Sequence, residues 1–121
     1  MLSVSSGTKV FLATEPVDLR RGHDGLTALV KSTLSLDPYA GHLFVFVGRR
    51  SDRIKVLFWD RGGFVLYYKR LAKGRFQMPR VKKGADRVVL DGTELAMLLG
   101  GFEVGRAARV DAWEPKKQPA A

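Results

Sequence analysis

Residues 53–71 read RIKVLFWDRGGFVLYYKRL, two runs of strand-forming letters hinged on DRGG. Nothing else in the chain constrains the fold as much. Each run is rich in aliphatic and aromatic side chains, and glycine in the hinge supplies the positive φ of a tight hairpin. Just upstream, HLFVFV at 42–47 is apolar on both parities, which predicts a central strand covered on both faces. Three consecutive strands with short turns make an antiparallel meander over 42–71.

The division of the hairpin into faces depends on its turn. With a three-residue loop, Asp60 pairs with Phe64, and Ile54, Val56, Phe58, Phe64, Leu66 and Tyr68 share one apolar face. The opposite face then carries Arg53, Lys55, Leu57, Trp59, Val65, Tyr67, Lys69 and Leu71. A two-residue loop shifts the pairing by one and mixes these sets, so the three-residue register is the expectation. In it Lys55 lies opposite Lys69, an unfavourable pairing unless an anion sits between them.

Around the meander, TKVFLA at 8–13 reads as a short strand ending near Pro16. Leu26, Leu29, Val30 and then Thr33 or Leu34 recur at three- and four-residue spacing, predicting a helix over about 24–34 with Asp24 as its N-cap. DPYAG at 37–41 is turn chemistry. Near the end, RVVL at 87–90 is a further short strand, and Thr93 is placed to cap ELAMLLG before Gly100–Gly101 stops the helix. The expected fold class is α+β: an antiparallel meander sheet of about four to five strands, one packed helix and a short C-terminal helix. A single domain spans 1–121, with a core over 8–102 and a loosely ordered tail from 103.

Charge is distributed very unevenly. Of the net +9, residues 1–48 contribute nothing, with four bases against four acids. Residues 49–83 carry twelve bases against Asp52 and Asp60, and residues 84–121 carry five bases against six acids. Charge added for solubility would be spread, whereas a concentrated patch attracts polyanions. No run approaches the roughly 18 apolar residues of a membrane span. The N-terminus lacks the basic start and apolar core of a secretory signal, and with no cysteine there is no sign of an oxidising compartment, so the cytoplasm is expected.

Candidates for catalysis are few. There is no cysteine nucleophile, no G-x-S-x-G motif and no phosphate-binding Walker loop. His23 and His42 have no His or Cys companions at ligand spacing, which favours plain hydrogen-bonding roles over metal binding. A metal-dependent nuclease needs two or three converging carboxylates. Asp18, Asp24, Asp52, Asp60, Asp86 and Asp91 each have a simpler reading as cap, turn residue or ion-pair partner. No cofactor or metal site is expected, and the chain reads as a non-enzyme.

The basic segment is the constellation that stands out. Arg49, Arg50, Arg53 and Arg61 in or beside the turns, Lys55, Lys69 and Arg70 on the strands, and Lys73, Arg75, Arg80, Lys82 and Lys83 beyond them suit contacts to phosphate. Trp59 and Tyr67 could stack on bases, each stack being worth roughly 1–3 kcal/mol. The competing reading leaves the long side chains solvating one face, with the two aromatics packed under a helix. Twelve bases against two acids favour the polyanion for the charges, whereas core packing is the stronger reading for the aromatics. The polyanion can be DNA, RNA or an acidic protein. Arg20 and Arg21, just before a helix, could hold an anion, although an ion-pair cluster with Asp18 that locks the loop to the sheet is favoured.

Three blocks go beyond composition: PVDLRRG at 16–22, DPYAGHLFVF at 37–46, and the run from DRIK through FWDRGG to YKRLAKGRF at 52–76. Together they resemble the TnpB-type (Orf2) accessory proteins of the insertion-sequence family numbered sixty-six, over about residues 8–79. GTELAMLLGGFEV resembles the closing helix of that family. The resemblance implies a small bacterial protein encoded beside a separate, larger transposase and contributing to transposition without an established activity of its own. DNA at the element ends or non-specific duplex, the transposase and the other accessory protein are the partners it implies. An adaptor that binds the transposase and touches no nucleic acid is the alternative.

Overall fold

The computed structural model describes residues 4–104. In chain order the elements are β1 (Val10–Ala13), α1 (His23–Ser32), β2 (Leu43–Val47), β3 (Arg53–Asp60), β4 (Gly63–Arg70), β5 (Arg87–Leu90) and α2 (Gly92–Leu99). The strands form one sheet in the order β4-β3-β2-β1-β5. All neighbours are antiparallel except β1 and β2, which run parallel. The α+β class and the β2–β3–β4 meander are as the sequence predicts. The parallel pair is an addition: α1 carries the chain back, so that β2 starts at the same end as β1.

β2 is buried at all five positions because helices cover both sheet faces. On one face Phe11, Phe44, Phe46 and Leu57 pack with Leu26, Val30 and Leu34 of the α1 region. On the other, Val10, Leu12, Val45, Ile54 and Val56 pack with Leu95 and Leu98 of α2, and with Phe76 and Val104. Of the predicted tail, residues 105–121 lie outside the described residues.

This two-sided burial decides the hairpin register, and it is not the expected one. Asp60 pairs with Gly63, Trp59 with Phe64 and Val56 with Tyr67, leaving Arg61 and Gly62 as a two-residue turn. Both turn residues have positive φ, +40° and +88°, as the hairpin turn matching the strand twist requires. A uniformly apolar face is a sound criterion only when one face is covered; here both are, so apolar side chains belong on both parities. Lys55 therefore lies opposite Tyr68, not Lys69, and Lys69 lies opposite Ile54. The like-charge pair expected at Lys55 and Lys69 occurs instead at Arg53 and Arg70.

Both helix starts differ from expectation. α1 has Gly22 at its N-cap, with Asp24 inside the first turn. α2 starts from Asp91, whose carboxylate accepts the Glu94 N–H at 2.7 Å while the Glu94 carboxylate accepts the Asp91 N–H at 2.9 Å. That reciprocal pair is a capping box, and it displaces Thr93 from the predicted role.

Candidate nucleic-acid interface

Strand direction gathers most of the basic residues at one end of the sheet. β1 and β2 finish there, β3 starts there, β4 finishes there and β5 starts there. On β3 and β4 the basic residues at that end are Arg53 and Arg70, directly opposite each other. Arg49 and Arg50 occupy the β2–β3 turn, and Lys73, Arg75, Arg80, Lys82 and Lys83 lie on the connection from β4 to β5.

Local packing holds these segments in place. The turn closes through the Gly48 N–H donating to the Arg53 carbonyl at 3.0 Å and the Ser51 N–H to the Gly48 carbonyl at 2.9 Å. Ser51 has a φ of +60°, unusual for a residue with a Cβ. Leu19 packs over Gly48, where an added Cβ would meet its Cδ1 in ordinary contact at 3.4 Å. Beyond β4, the buried Phe76 anchors the basic connection, and its N–H donates to the Ser51 carbonyl. Arg75 thereby joins Arg49, Arg50 and Asp52 around a depression of about 520 Å³.

Other predicted site residues lie elsewhere. Tyr67 packs on the α2 face, whereas Trp59 lies on the α1 face, so the two expected stacking rings form no common platform. Trp59 sits half-buried against Tyr39 and Phe64, with ring centroids 5.1 Å away in each case. Lys69 donates its ammonium to the Leu99 carbonyl at 2.7 Å, satisfying a carbonyl at the C-terminus of α2. Lys55 donates to the Arg21 carbonyl at 2.9 Å and lies 5.1 Å from the Tyr68 ring centroid. Arg61, in the hairpin turn, is at the opposite end of the sheet.

Two residues that the sequence reading did not place in the main surface belong there. Tyr68, 51% exposed, faces the charged end; assigning it to the core followed from the wrong register, and DRGG read as a two-residue turn would have exposed it. Arg20 comes to the same end on the β1–α1 loop. It pairs with Asp18 at 2.7 Å, but with its side chain 91% exposed this pair does not lock the loop to the sheet. The loop is tied instead by the Val17 N–H to the Val47 carbonyl and by Lys55.

The Arg20 guanidinium, through a side-chain hydrogen bond, holds the Asp18 carboxyl well below the usual carboxylate range. The ion pairs seen among the described residues are Arg20–Asp18 and Arg87–Asp86, and neither involves a base between 49 and 83. Also among the described residues, no three His, Asp or Glu side chains gather as metal ligands, and no helix is long and apolar enough to cross a membrane. His42 accepts the Lys9 N–H through Nδ1 and sets its ring edge against Phe11.

Residues 8–109 match the model of the IS66 Orf2-like protein family. The protein y4jC of Sinorhizobium fredii (strain NBRC 101917 / NGR234), described as uncharacterized, is 41% identical over 97% of this chain and 98% of its own length. The uncharacterized y4hO of the same strain is 35% identical over the same shares. No solved structure shows significant similarity. With the family model spanning most of the chain and full-length relatives above 30% identity, the chain belongs to the IS66 Orf2-like family and is a transposition-associated accessory protein.

Proposed function

We propose that this protein serves transposition as a non-enzymatic factor that grips DNA phosphates with the charged end of its sheet. The observation that carries the reading is the convergence of Arg49, Arg50, Arg53, Arg70, Lys73 and Arg75 on one end, with no ion pair among the described residues to neutralise them. Uncompensated like charge at close quarters is unfavourable in the free protein and is relieved by a polyanion. Arg80, Lys82 and Lys83, on the same connection, extend the surface towards β5. Lys55 and Lys69 belong to the scaffold in this reading, because both ammonium groups are committed to backbone carbonyls.

Fluorescence anisotropy of a labelled duplex, titrated with salt, tests the proposal. Six phosphate contacts give a log–log slope of about −5 and a loss of affinity of about 10³-fold between roughly 50 and 200 mM salt. Absence of binding to element ends or random duplex at low salt, together with co-purification with the transposase, would sink the DNA reading. The adaptor alternative draws on the ring cluster of Tyr39, Trp59 and Phe64 beside the hairpin turn, where Tyr39 is half exposed and Arg61 is close in sequence. Aromatic and arginine side chains are the usual anchors of protein interfaces.

A further inference from the structure

The charged end is hollow between the β1–α1 loop and the β2–β3 turn. A cleft of about 650 Å³ opens there, with Arg20, Arg49, Arg50, Arg53 and Tyr68 on its walls. That volume lies in the range of small-ligand sites and exceeds what a lone phosphate needs. Two carboxylates share the lining, Asp18 and Asp52, which leaves four cations facing two anions. The Asp18 oxygens are already engaged by Arg20 at Nε and Nη2.

Arg53 gives the cleft a specific point of attachment. Its Nε is buried and has no hydrogen-bond partner among the described residues. A buried donor without an acceptor is uncommon in folded proteins and calls for a reason. The residue is also held in β3 directly opposite Arg70, a like-charge pairing that an intervening anion relieves. Beside them the Tyr68 ring stands 51% exposed, on the face that holds Lys55 and Arg53. The Arg53 guanidinium, flanking arginines and an exposed ring lining one cleft match the parts of a nucleotide.

We infer that the cleft takes one nucleotide of single-stranded DNA, its phosphate on Arg53 between Arg49 and Arg50 and its base against Tyr68. The inference rests on the DNA reading above and narrows it. A phosphate on an intact duplex can reach surface arginines, but its base is stacked and paired, so only an unpaired strand delivers phosphate and base to one cleft.

The test uses the full chain, a thymidine tetranucleotide, and a tetramer of abasic sugar phosphates of equal charge. Arginine Nε–H signals are followed by NMR during each titration, and affinities are taken from the same data. The Arg53 signal shifts with both ligands, and the tetranucleotide binds about tenfold or more tightly than the abasic tetramer. Tyr68→Ala brings that ratio to about one, and Arg53→Gln weakens both ligands about tenfold or more. Should Arg53→Gln melt well below the wild type, Arg49→Gln/Arg50→Gln in the exposed turn takes its place with the same expectation. Equal affinities for the two tetramers in the wild type, or an Arg53 signal that stays put, overturn the inference. A duplex bound with steep salt dependence while Arg53 stays put overturns the cleft and leaves the DNA reading standing. Failure of both duplex and tetranucleotide overturns both.

Discussion

Arg70 is the residue whose replacement separates what the fold needs from what its ligand needs. It lies directly across β4 from Arg53, and neither forms an ion pair among the described residues. At a spacing of roughly 6 Å, close to the Cβ separation of directly opposed residues, two such charges in water-like surroundings repel by about 0.7 kcal/mol. Arg70→Gln removes this term, and Arg70→Glu reverses its sign. For a domain of this size, about 1 kcal/mol moves the melting temperature by roughly 4–8 °C. The glutamine variant therefore melts about 3–5 °C above the wild type in low-salt buffer, and the glutamate variant higher still. Both gaps close near 1 M salt, where the screening length falls to about 3 Å. Calorimetry in dilute buffer reads these shifts, and the anisotropy titration reads the cost: the duplex salt slope becomes shallower by about one. Inorganic phosphate, compared with chloride at equal ionic strength, raises the melting temperature of the wild type more than that of Arg70→Gln, because an anion held between the arginines stabilises only the former. A glutamine variant that melts at or below the wild type at low salt would refute the reasoning, since uncompensated repulsion would then be absent from this end of the sheet.

Lys69→Met keeps the apolar stem but removes the ammonium from the Leu99 carbonyl; it lowers stability by about 1.5–2 kcal/mol in a denaturant melt and leaves the duplex salt slope unchanged. A change in slope of about one with unaltered stability would return Lys69 to the DNA surface. Asp91→Ala dismantles the capping box and costs about 1 kcal/mol, measurable by the same melt, whereas Thr93→Ala costs much less. Arg61→Asn places the favoured Asn-Gly pair in the two-residue turn and raises stability by about 0.5–1 kcal/mol; destabilisation would point back to a three-residue loop. The carboxyl carbon signal of Asp18 titrates below the ordinary aspartate range, and Arg20→Gln raises it part of the way back, the backbone N–H of residue 20 still donating to the carboxylate. Because that folded pKa is depressed, any stability the pair lends is complete above the unfolded pKa of about 4 and fades as pH falls towards the folded one.

The features legible in the sequence were those with a single physical cause. HLFVFV, apolar on both parities, needs cover on both sides and became the central, fully buried β2. The three- and four-residue spacing of Leu26, Leu29 and Val30 became α1. The register escaped because its criterion presumed one covered face, and because Arg61 at a φ of +40° is an unusual occupant of its turn position. Tyr68 escaped with it, and so did the separation of Trp59 from Tyr67. The parallel β1–β2 pair had no local signature, since strand direction there is set by how the whole α1 connection returns. The cap of α2 was readable: DGTE at 91–94 has an acid at the cap and Glu three residues on, a capping-box pattern.

Covering both faces of the sheet also explains where the charge went. With α1 on one side and α2 on the other, long basic side chains on the strand interiors have little room to reach water or a ligand. Lys55 and Lys69, two residues and one residue in from the charged end on β3 and β4, are each bent back onto a backbone carbonyl, tying a loop and closing a helix. Only where the strands run out are cations free of the two helical layers, and there the β2–β3 turn, the β1–α1 loop and the Phe76-anchored connection bring their arginines. Substituting the strand lysines should therefore be felt in stability, and substituting the arginines at the sheet end in binding. Arg53 belongs to both classes: its carbonyl closes the turn, and its buried Nε awaits an acceptor that no described side chain supplies.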